Sequence, residues 1–338
     1  METFLFSCMD INLFDLPEIS ERLKPFTFTR PISEIRIGIL TIKAKWEHFG
    51  FACGYKTSDY LKSKYSEISS SFLINSALIP SSTLVEAIKA LSDGQSLVKD
   101  GVFLAGRPDG DSIEFLAEPM LINNTWDIFS FNRSVLISDL ELIKARTSFI
   151  EVDDPHTVIY GKENLYVEEG AVIKAAIIDA SNGPIYIGKN AQVHPGAIIN
   201  GAFALCEGSH VNMGAKIKGD STVGPFCKVG GEISNSVFFG YSNKGHDGFV
   251  GNSVIGEWCN IGADTNTSNL KNNYAEVKLW DYASERFAKT GLQFCGLMMG
   301  DHAKCGINTM FNTGTVVGVA ANVFGSGFPR NFIPSFSW

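Results

Sequence analysis

No segment of the 338-residue chain runs to the about 18 uninterrupted apolar residues that a membrane-crossing helix needs. Blocks of Lys or Arg are missing too, and the formal charge is −8. Nucleic-acid affinity rests largely on neutralising phosphates, so that partner class is excluded, whereas one pocket for a small anion needs only a few cations. The N-terminal METFLFSCMDINLFDL carries acids where a secretory leader needs a basic start and an unbroken apolar run. These absences argue against membrane and nucleic-acid partners and place the expected site of action in the cytoplasm.

Spacing of the CxxC kind is also lacking. The seven cysteines (Cys8, Cys53, Cys206, Cys227, Cys259, Cys295 and Cys305) are scattered and odd in number, so free thiols are expected rather than a zinc knuckle or a full disulfide set. Charged residues make up 19% and hydrophobic ones 45%, and the length suffices for two ordinary cores.

What the sequence does contain is a six-residue ruler. Aliphatic residues fall at Ile187, Val193, Ile199, Leu205, Val211, Ile217, Val223 and Val229, each six after the last. Four residues after most of them stands something small: Ala191, Ala197, Ser209, Ala215, Ser221, Cys227. The register is anticipated by Val167 and Ile173 and returns at Met299, Cys305, Phe311, Val317 and Val323. A helix needs a period near 3.6 and a lone strand a period of 2, so a period of 6 means a short strand and a turn, repeated. Three such units make one coil, and a core arises only when coils stack. The expected fold of residues 161–338 is therefore a parallel β-helix. It resembles the hexapeptide-repeat family, whose prisms are left-handed and usually homotrimeric. The ruler is interrupted near 234–249 and between 264 and 298, and His246 lies in the first gap.

Among six histidines, His246 is set between Gly245 and Gly248. Hexapeptide-repeat proteins similar to the γ-type carbonic anhydrases hold zinc with three histidines, two of them close in sequence. No histidine follows His210 or His246 at short range, so no metal site is expected. A structural role and a general base remain, and a neutral imidazole can take a proton from an attacking amine near pH 7. The run GFVGNSVIGEWCNIGADTNTSN after His246 resembles the acetyltransferase domain of the bifunctional enzymes that make UDP-N-acetylglucosamine, where a catalytic His precedes a pattern like YIGDAEIGSGSNIGAGxxTxN.

That resemblance implies an acceptor such as glucosamine 1-phosphate, acetyl-CoA as cosubstrate, and His246 as base. It implies that Glu232 lies near the amine, that Asn260 contacts the sugar, and that Ala263 and Asn269 line the acetyl-CoA channel. Phosphate binding would fall to Lys216, Lys228 and Lys244, with Lys216 standing where the family has an arginine. Family lysine and tyrosine positions are here Ser234, Phe249 and Leu270. The segment 269–291 is longer than the family loop and is expected to form an arm toward a neighbouring protomer.

Residues 1–135 lack the ruler and mix strand-like runs (IRIGILTI, GVFLAG) with helix-like ones (STLVEAIKAL), which is the pattern of an α/β domain. SERLKPFTFTRP and the later Gly38 are similar to the first loop of sugar-nucleotide transferases, although Ile19, Ser20 and Glu21 replace its glycines and Ile32 its lysine. The whole chain resembles a divergent bacterial group of the bifunctional enzyme with a shortened nucleotidyltransferase domain. UTP and Mg²⁺ would then be used, with Arg22, Arg30, Arg36, Lys43 and Lys45 as candidate nucleotide cations. TWDIFSFNRSVLISDLELIKAR reads as a connecting helix in a 136–160 linker region, with WDIF docking one domain on the other. The aromatic C-terminal FPRNFIPSFSW is expected to fold back or continue. A second functional reading is a non-catalytic trimeric scaffold or sugar-nucleotide-binding protein with degenerate sites.

Overall fold

A computed structural model describes residues 9–338, leaving Cys8 and the start of the N-terminal run outside the described residues. The chain divides into two compact units. The first comprises residues up to Leu23, Thr29–Ile35 and Leu40–Asn124, and the second Lys24–Phe28, Arg36–Ile39 and Thr125–Trp338. The linker helix anticipated from sequence belongs to the second unit, as do two short pieces of the TRP-containing segment.

The first unit is α/β. Its strands are β1 (Met9–Phe14), β2 (Phe51–Lys56), β3 (Leu73–Asn75), β4 (Gln95–Lys99), β5 (Val102–Gly106) and β6 (Asp111–Glu114), ordered β2-β1-β3-β5-β4-β6. Pairing is parallel for β1 with β2 and β3 and antiparallel where β5 joins β3 and β4. Helices α1 (Pro17–Arg22), α2 (Ile42–His48) and α3 (Ser82–Lys89) flank the sheet. Thr41 caps α2 and Ser81 caps α3 through their side chains, satisfying amides that the first turn leaves without partners. Trp46 of α2 is buried and donates from Nε1 to the Leu78 carbonyl at 3.1 Å.

The second unit opens with α4 (Asp127–Ser130) and α5 (Asn132–Lys144), then continues as a left-handed β-solenoid. Its three faces are sheets of six, nine and eight short parallel strands, each strand pairing with the one a coil away. The ruler residues form the core: Ile187, Val193, Ile199, Leu205, Val211, Ile217, Val223 and Val229 all stack inside one apolar cluster that runs on through Met299, Cys305, Phe311, Val317 and Val323. The small residues four positions on are buried at the corners, where bulk would not fit.

The first gap in the ruler is not a departure from the solenoid. Ile233, Phe238, Lys244, Val250 and Ile255 take the inward positions there, registered against Ile217, Val223, Val229, Ile233 and Phe238 respectively. Some steps shorten to four and five residues and one inward position is a lysine, so the aliphatic period vanishes while the coils persist. The second gap is an insertion. Lys278–Asp281 and Arg286–Lys289 form an antiparallel hairpin whose Trp280 stacks on Phe332 at 4.2 Å, with Tyr282 edge-on to Phe332 and Phe28. Within the chain, Val277 and Leu279 of this insertion are buried and the Trp280 ring packs on Phe332.

Helix α5 covers the outer face of the nine-stranded sheet. Asn132 donates from Nδ2 to the Asp220 carbonyl at 3.0 Å and to Thr222 Oγ1 at 3.1 Å, and Arg133 pairs with Asp220 at 2.7 Å. Gly38, the glycine matched to a phosphate-binding loop, packs against this helix instead. Its φ is +69°, its amide donates to Asn132 Oδ1 at 2.7 Å, and a Cβ there would lie 2.5 Å from Asp139 Oδ2. Ile128 and Phe129 of the WDIF motif are buried within the same unit. Phe332–Ile333 of the aromatic C-terminal segment folds back onto Val316–Val317 as a parallel strand.

One corner carries bulky residues in left-handed backbone: Phe226, Tyr241, Trp258 and His302, with φ between +53° and +59°. Side chains there cost energy for their conformation, offset by stacking on the coil above. Ring centroids lie 5.4, 4.6 and 6.3 Å apart along the column, within 16° of parallel.

Candidate active site

A different corner is hollow. It lies just past the inward residues of the eight-stranded sheet, where Val193, Val211, Val229, Lys244 and Ile261 are succeeded by His194, Asn212, Gly230, Gly245 and Gly262. A groove of about 620 Å³ opens here, with Gly231 and Gly245 among its walls. His194, Asn212, Met213, His246, Asp247 and Ala263 are among the residues that line it.

The turn that presents His246 is seated between neighbouring coils by backbone contacts that admit no Cβ. At Gly230 a Cβ would meet the Gly245 carbonyl at 2.4 Å, and at Gly231 the Gly248 carbonyl at 2.4 Å. Gly248 itself has φ +115°, and its Cβ would fall 2.2 Å from the Thr265 carbonyl oxygen. Because residue 230 has no side chain, Asn212 reaches past it to donate from Nδ2 to the Gly245 carbonyl at 2.8 Å. The Glu232 amide donates to the Gly248 carbonyl and the Asp264 amide to the Asp247 carbonyl, both at 2.9 Å. The His246 side chain is exposed on the groove.

Of the residues anticipated from sequence, the groove brings together His246 and Ala263. Glu232 and Lys216 are row neighbours on the outer face of the six-stranded sheet, and Glu232 pairs with Lys218 at 2.6 Å. Lys228 and Asn260 stand in one outward row of the eight-stranded sheet, on either side of Asn243, whose Nδ2 donates to Asn260 Oδ1 at 3.1 Å. Asn269 donates to Asn252 Oδ1 at 2.7 Å and does not line the groove.

Lys244 differs most from expectation: it is fully buried, and its ammonium donates to the carbonyls of His246 and Asp247 at 2.6 and 2.7 Å. Strand alternation points residue 244 into the core, away from any ligand in the groove.

His194, Asn212, Met213, Asp247 and Asp264 also line the groove, and no sequence motif marks them. A signal is present nonetheless, since His194, Asn212 and Gly230 come after inward residues at the 18-residue spacing of one full coil. His194 Nε2 lies 3.3 Å from His210 Nδ1, so one of the two rings donates to the other. Burial holds the His210 imidazole below its ordinary pKa, with His194 and Lys228 adding to the effect.

In the first unit a cleft of about 270 Å³ opens at the carboxyl ends of β1 and β2, the place where parallel α/β sheets hold ligands. Asp15, Glu21, Lys56, Thr57, Lys62 and Glu67 are among its lining residues. The Asp15 carboxylate accepts from the Ile32 amide at 3.1 Å and from Thr57 Oγ1 at 2.5 Å. Burial outweighs these bonds and pushes its pKa up to about 6.

None of the five cations expected for nucleotide lines this cleft. Lys45 is buried in α2 and donates to the Leu40 carbonyl at 2.9 Å, while Lys43 pairs with Glu47 one helical turn on. Arg22 reaches Asn123 Oδ1 at 3.5 Å, and Arg30 is buried. Arg36 belongs to the second unit, where it donates to the Phe239 carbonyl at 2.9 Å and to that of Ile39. The lysines that do line the cleft are Lys56 and Lys62, the latter paired with Asp59 at 2.8 Å. Lys45 and Arg36 are taken up by backbone carbonyls, and Lys43 and Arg22 by the Glu47 and Asn123 side chains.

Comparison with known proteins agrees with this architecture. Residues 11–148 match a family of sugar nucleotidyl transferases. The chain is 36% identical over 87 residues to the bifunctional protein GlmU of Methanocaldococcus jannaschii, covering 26% of this chain and 21% of that protein. It is 24% identical over 219 residues to GlmU of Bartonella quintana, 58% of this chain and 39% of the relative. It is also 25% identical over 160 residues to an uncharacterized acetyltransferase, YaiX, of Escherichia coli, 47% of this chain and 69% of that protein. The chain thus spans well under half the length of these GlmU relatives. The resemblance to bifunctional sugar-nucleotide transferases drawn from the motifs holds, at low identity.

Two outcomes are expected. Gly248→Ala combines a disallowed φ with a backbone overlap and should cost on the order of 1–3 kcal/mol, visible as a lowered melting temperature. Gly214→Ala, at φ +70° with open space around it, should cost about 1 kcal/mol; equal melting shifts for the two would refute the seating described. Asp15 has a folded pKa above its unfolded one, so its contribution is complete below about pH 4 and is lost as pH rises through about 6. The shift amounts to about 3 kcal/mol. Urea midpoints from pH 4 to 7 should therefore fall in the wild type relative to Asp15→Asn, and a constant difference would contradict the assignment.

Proposed function

We propose that the second unit transfers an acetyl group from acetyl-CoA to the amine of an amino-sugar phosphate such as glucosamine 1-phosphate, with His246 as general base. The observation that carries this reading is the His246 side chain, exposed on a groove that it shares with His194, Asn212, Gly231, Gly245 and Ala263. A nitrogen lone pair attacks the thioester carbon as the imidazole takes the ammonium-forming proton. The tetrahedral intermediate then expels the thiolate, and the imidazolium returns its proton to sulfur. Backbone amides beside the groove stabilise the oxyanion. The acetyltransferase in the name of the YaiX relative supports acetyl transfer as the reaction class.

Lys216 and Lys228 are exposed on the two faces that meet at this corner and supply the charge a phosphate requires. Glu232, Asn260, Ala263 and Asn269 keep the roles that resemblance gives them, in a homotrimer whose neighbouring protomer closes the groove. Met213, an apolar groove residue that is 77% exposed in the single chain, is the kind of side chain such a neighbour would cover.

The first unit we assign to uridyl transfer between UTP and N-acetylglucosamine 1-phosphate. The family match supports it. Lys56 and Lys62 offer positive charge in the cleft, and Glu21 and Glu67 offer the hard oxygen donors suited to Mg²⁺, which would neutralise the triphosphate. The missing glycine loop favours the competing reading, a sugar-nucleotide-binding unit without turnover.

Free thiol released from acetyl-CoA in the presence of glucosamine 1-phosphate measures the first activity. His246→Ala should lower kcat by about two or more orders of magnitude with an unchanged melting temperature; undiminished turnover would remove His246 from the mechanism. For the first unit, UTP, Mg²⁺ and N-acetylglucosamine 1-phosphate should release pyrophosphate, and Lys56→Ala should slow that release. Saturable UTP binding with no pyrophosphate would establish the binding-only reading.

A further inference from the structure

We infer that Lys244 is the positioning residue of the His246 turn, acting from inside the solenoid and never touching substrate. This rests on the acyl-transfer reading of His246. Lys244 sits where every neighbouring coil of the eight-stranded sheet has an apolar or thiol side chain, against Val229 on one side and next to the coil of Ile261 on the other. Its side chain is 0% exposed, and its ammonium meets the two consecutive carbonyls of the turn that carries the imidazole.

Those carbonyls point inward because the turn crosses the corner at Gly245 and Gly248. A turn in this position leaves two acceptors facing an apolar interior, and an unsatisfied buried acceptor costs about 1–3 kcal/mol. An aliphatic residue at 244 would leave the His246 carbonyl unpaired and the Asp247 carbonyl with the Asp264 amide alone, and the turn would swing outward to hydrate them. Swinging outward would also strip the Glu232 amide from Gly248 and the Asp264 amide from Asp247. Lys244 holds the carbonyls in, and so fixes where the His246 Cα, and with it the imidazole, stands over the groove. Burial lowers the ammonium pKa, while the Asp247 and Asp264 carboxylates and Cys305 act in the other direction.

The test is Lys244→Met, which fills the same volume without the ammonium, with Lys244→Arg as the charge-keeping companion. Displacement of a catalytic group by about 1 Å costs roughly 10²-fold in rate. Lys244→Met should keep a cooperative melt, lose about 10²-fold in kcat with little change in KM for acetyl-CoA, and expose the Glu232 and Asp264 amides to faster hydrogen exchange. Lys244→Arg should retain more of the rate and more of the protection. Wild-type kcat and wild-type exchange at those two amides in Lys244→Met would overturn the inference. The exchange readout does not depend on turnover: faster exchange in Lys244→Met, in a protein that never acetylates an amine, would sustain the positioning role while removing the acyl-transfer reading. If Lys244→Met fails to fold, Lys244→Arg with wild-type rate and protection sustains the inference, and Lys244→Arg with lost rate but unchanged protection refutes it.

Discussion

A single coil of this solenoid has no interior. Each short strand offers one inward side chain per face, and that side chain is buried only when the coil above and the coil below supply its walls. The requirement is strict for what points inward and for the corners, and loose for what lies on the flat outer faces. Ile199 stacks on Ile178 and Ile217 with no choice of partner, whereas the residues beside them in the same row, Ile177, Ile198 and Lys216, range from aliphatic to charged.

This unequal freedom decides where a site can form. On a flat face, outward side chains stand about 4.8 Å from their neighbours up and down the stack, which gives rows but no concavity. Glu232 and Lys218 pair on such a face, as do Asn243 and Asn260. A corner behaves differently, because removing one side chain leaves space bounded by two sheets. The corner beside His246 is such a space, with Gly231 and Gly245 on its walls and the Asn212 side chain donating to the Gly245 carbonyl. At the aromatic corner the same geometry is filled, by Phe226, Tyr241, Trp258 and His302. One scaffold thus yields a rigid column or an open groove according to the size of the side chain at each corner.

The solenoid was legible because stacking imposes a period on the sequence, and eight aliphatic residues in register admit no other regular structure. The period failed between Ile233 and Ile255 for a physical reason: tighter corners shorten the steps, and an inward lysine is invisible to a search for apolar residues. Coil register, by contrast, is set by backbone pairing and survives both changes. His246 was legible from its glycines and the motif after it. Asn212 and His194 were not: no motif marks either, and the reach of Asn212 to the Gly245 carbonyl depends on Gly230 lacking a side chain one coil later. In the first unit, strand and helix types could be read from local pattern, but the cations did not sort themselves. Whether Lys45 faces a ligand or the Leu40 carbonyl is settled by the packing of α2, which charge alone does not encode.

The lysine inside the apolar column shows how function can be read from a violated rule. An ammonium withdrawn from water loses several kcal/mol of hydration, and two carbonyl contacts with partial help from Asp247 and Asp264 recover only part of it, which is why its proton is held less tightly than in water. A valine at 244 would cost the core nothing, since Val229 occupies the same column one coil away. What valine cannot supply is a donor for the turn: the His246 carbonyl takes the Lys244 ammonium, and the Asp247 carbonyl shares it with the Asp264 amide. The groove and the buried charge are therefore one structural decision. The turn that carries His246 along the groove brings two carbonyls to the core side, and a side chain two residues before the imidazole, long enough to reach them, answers it.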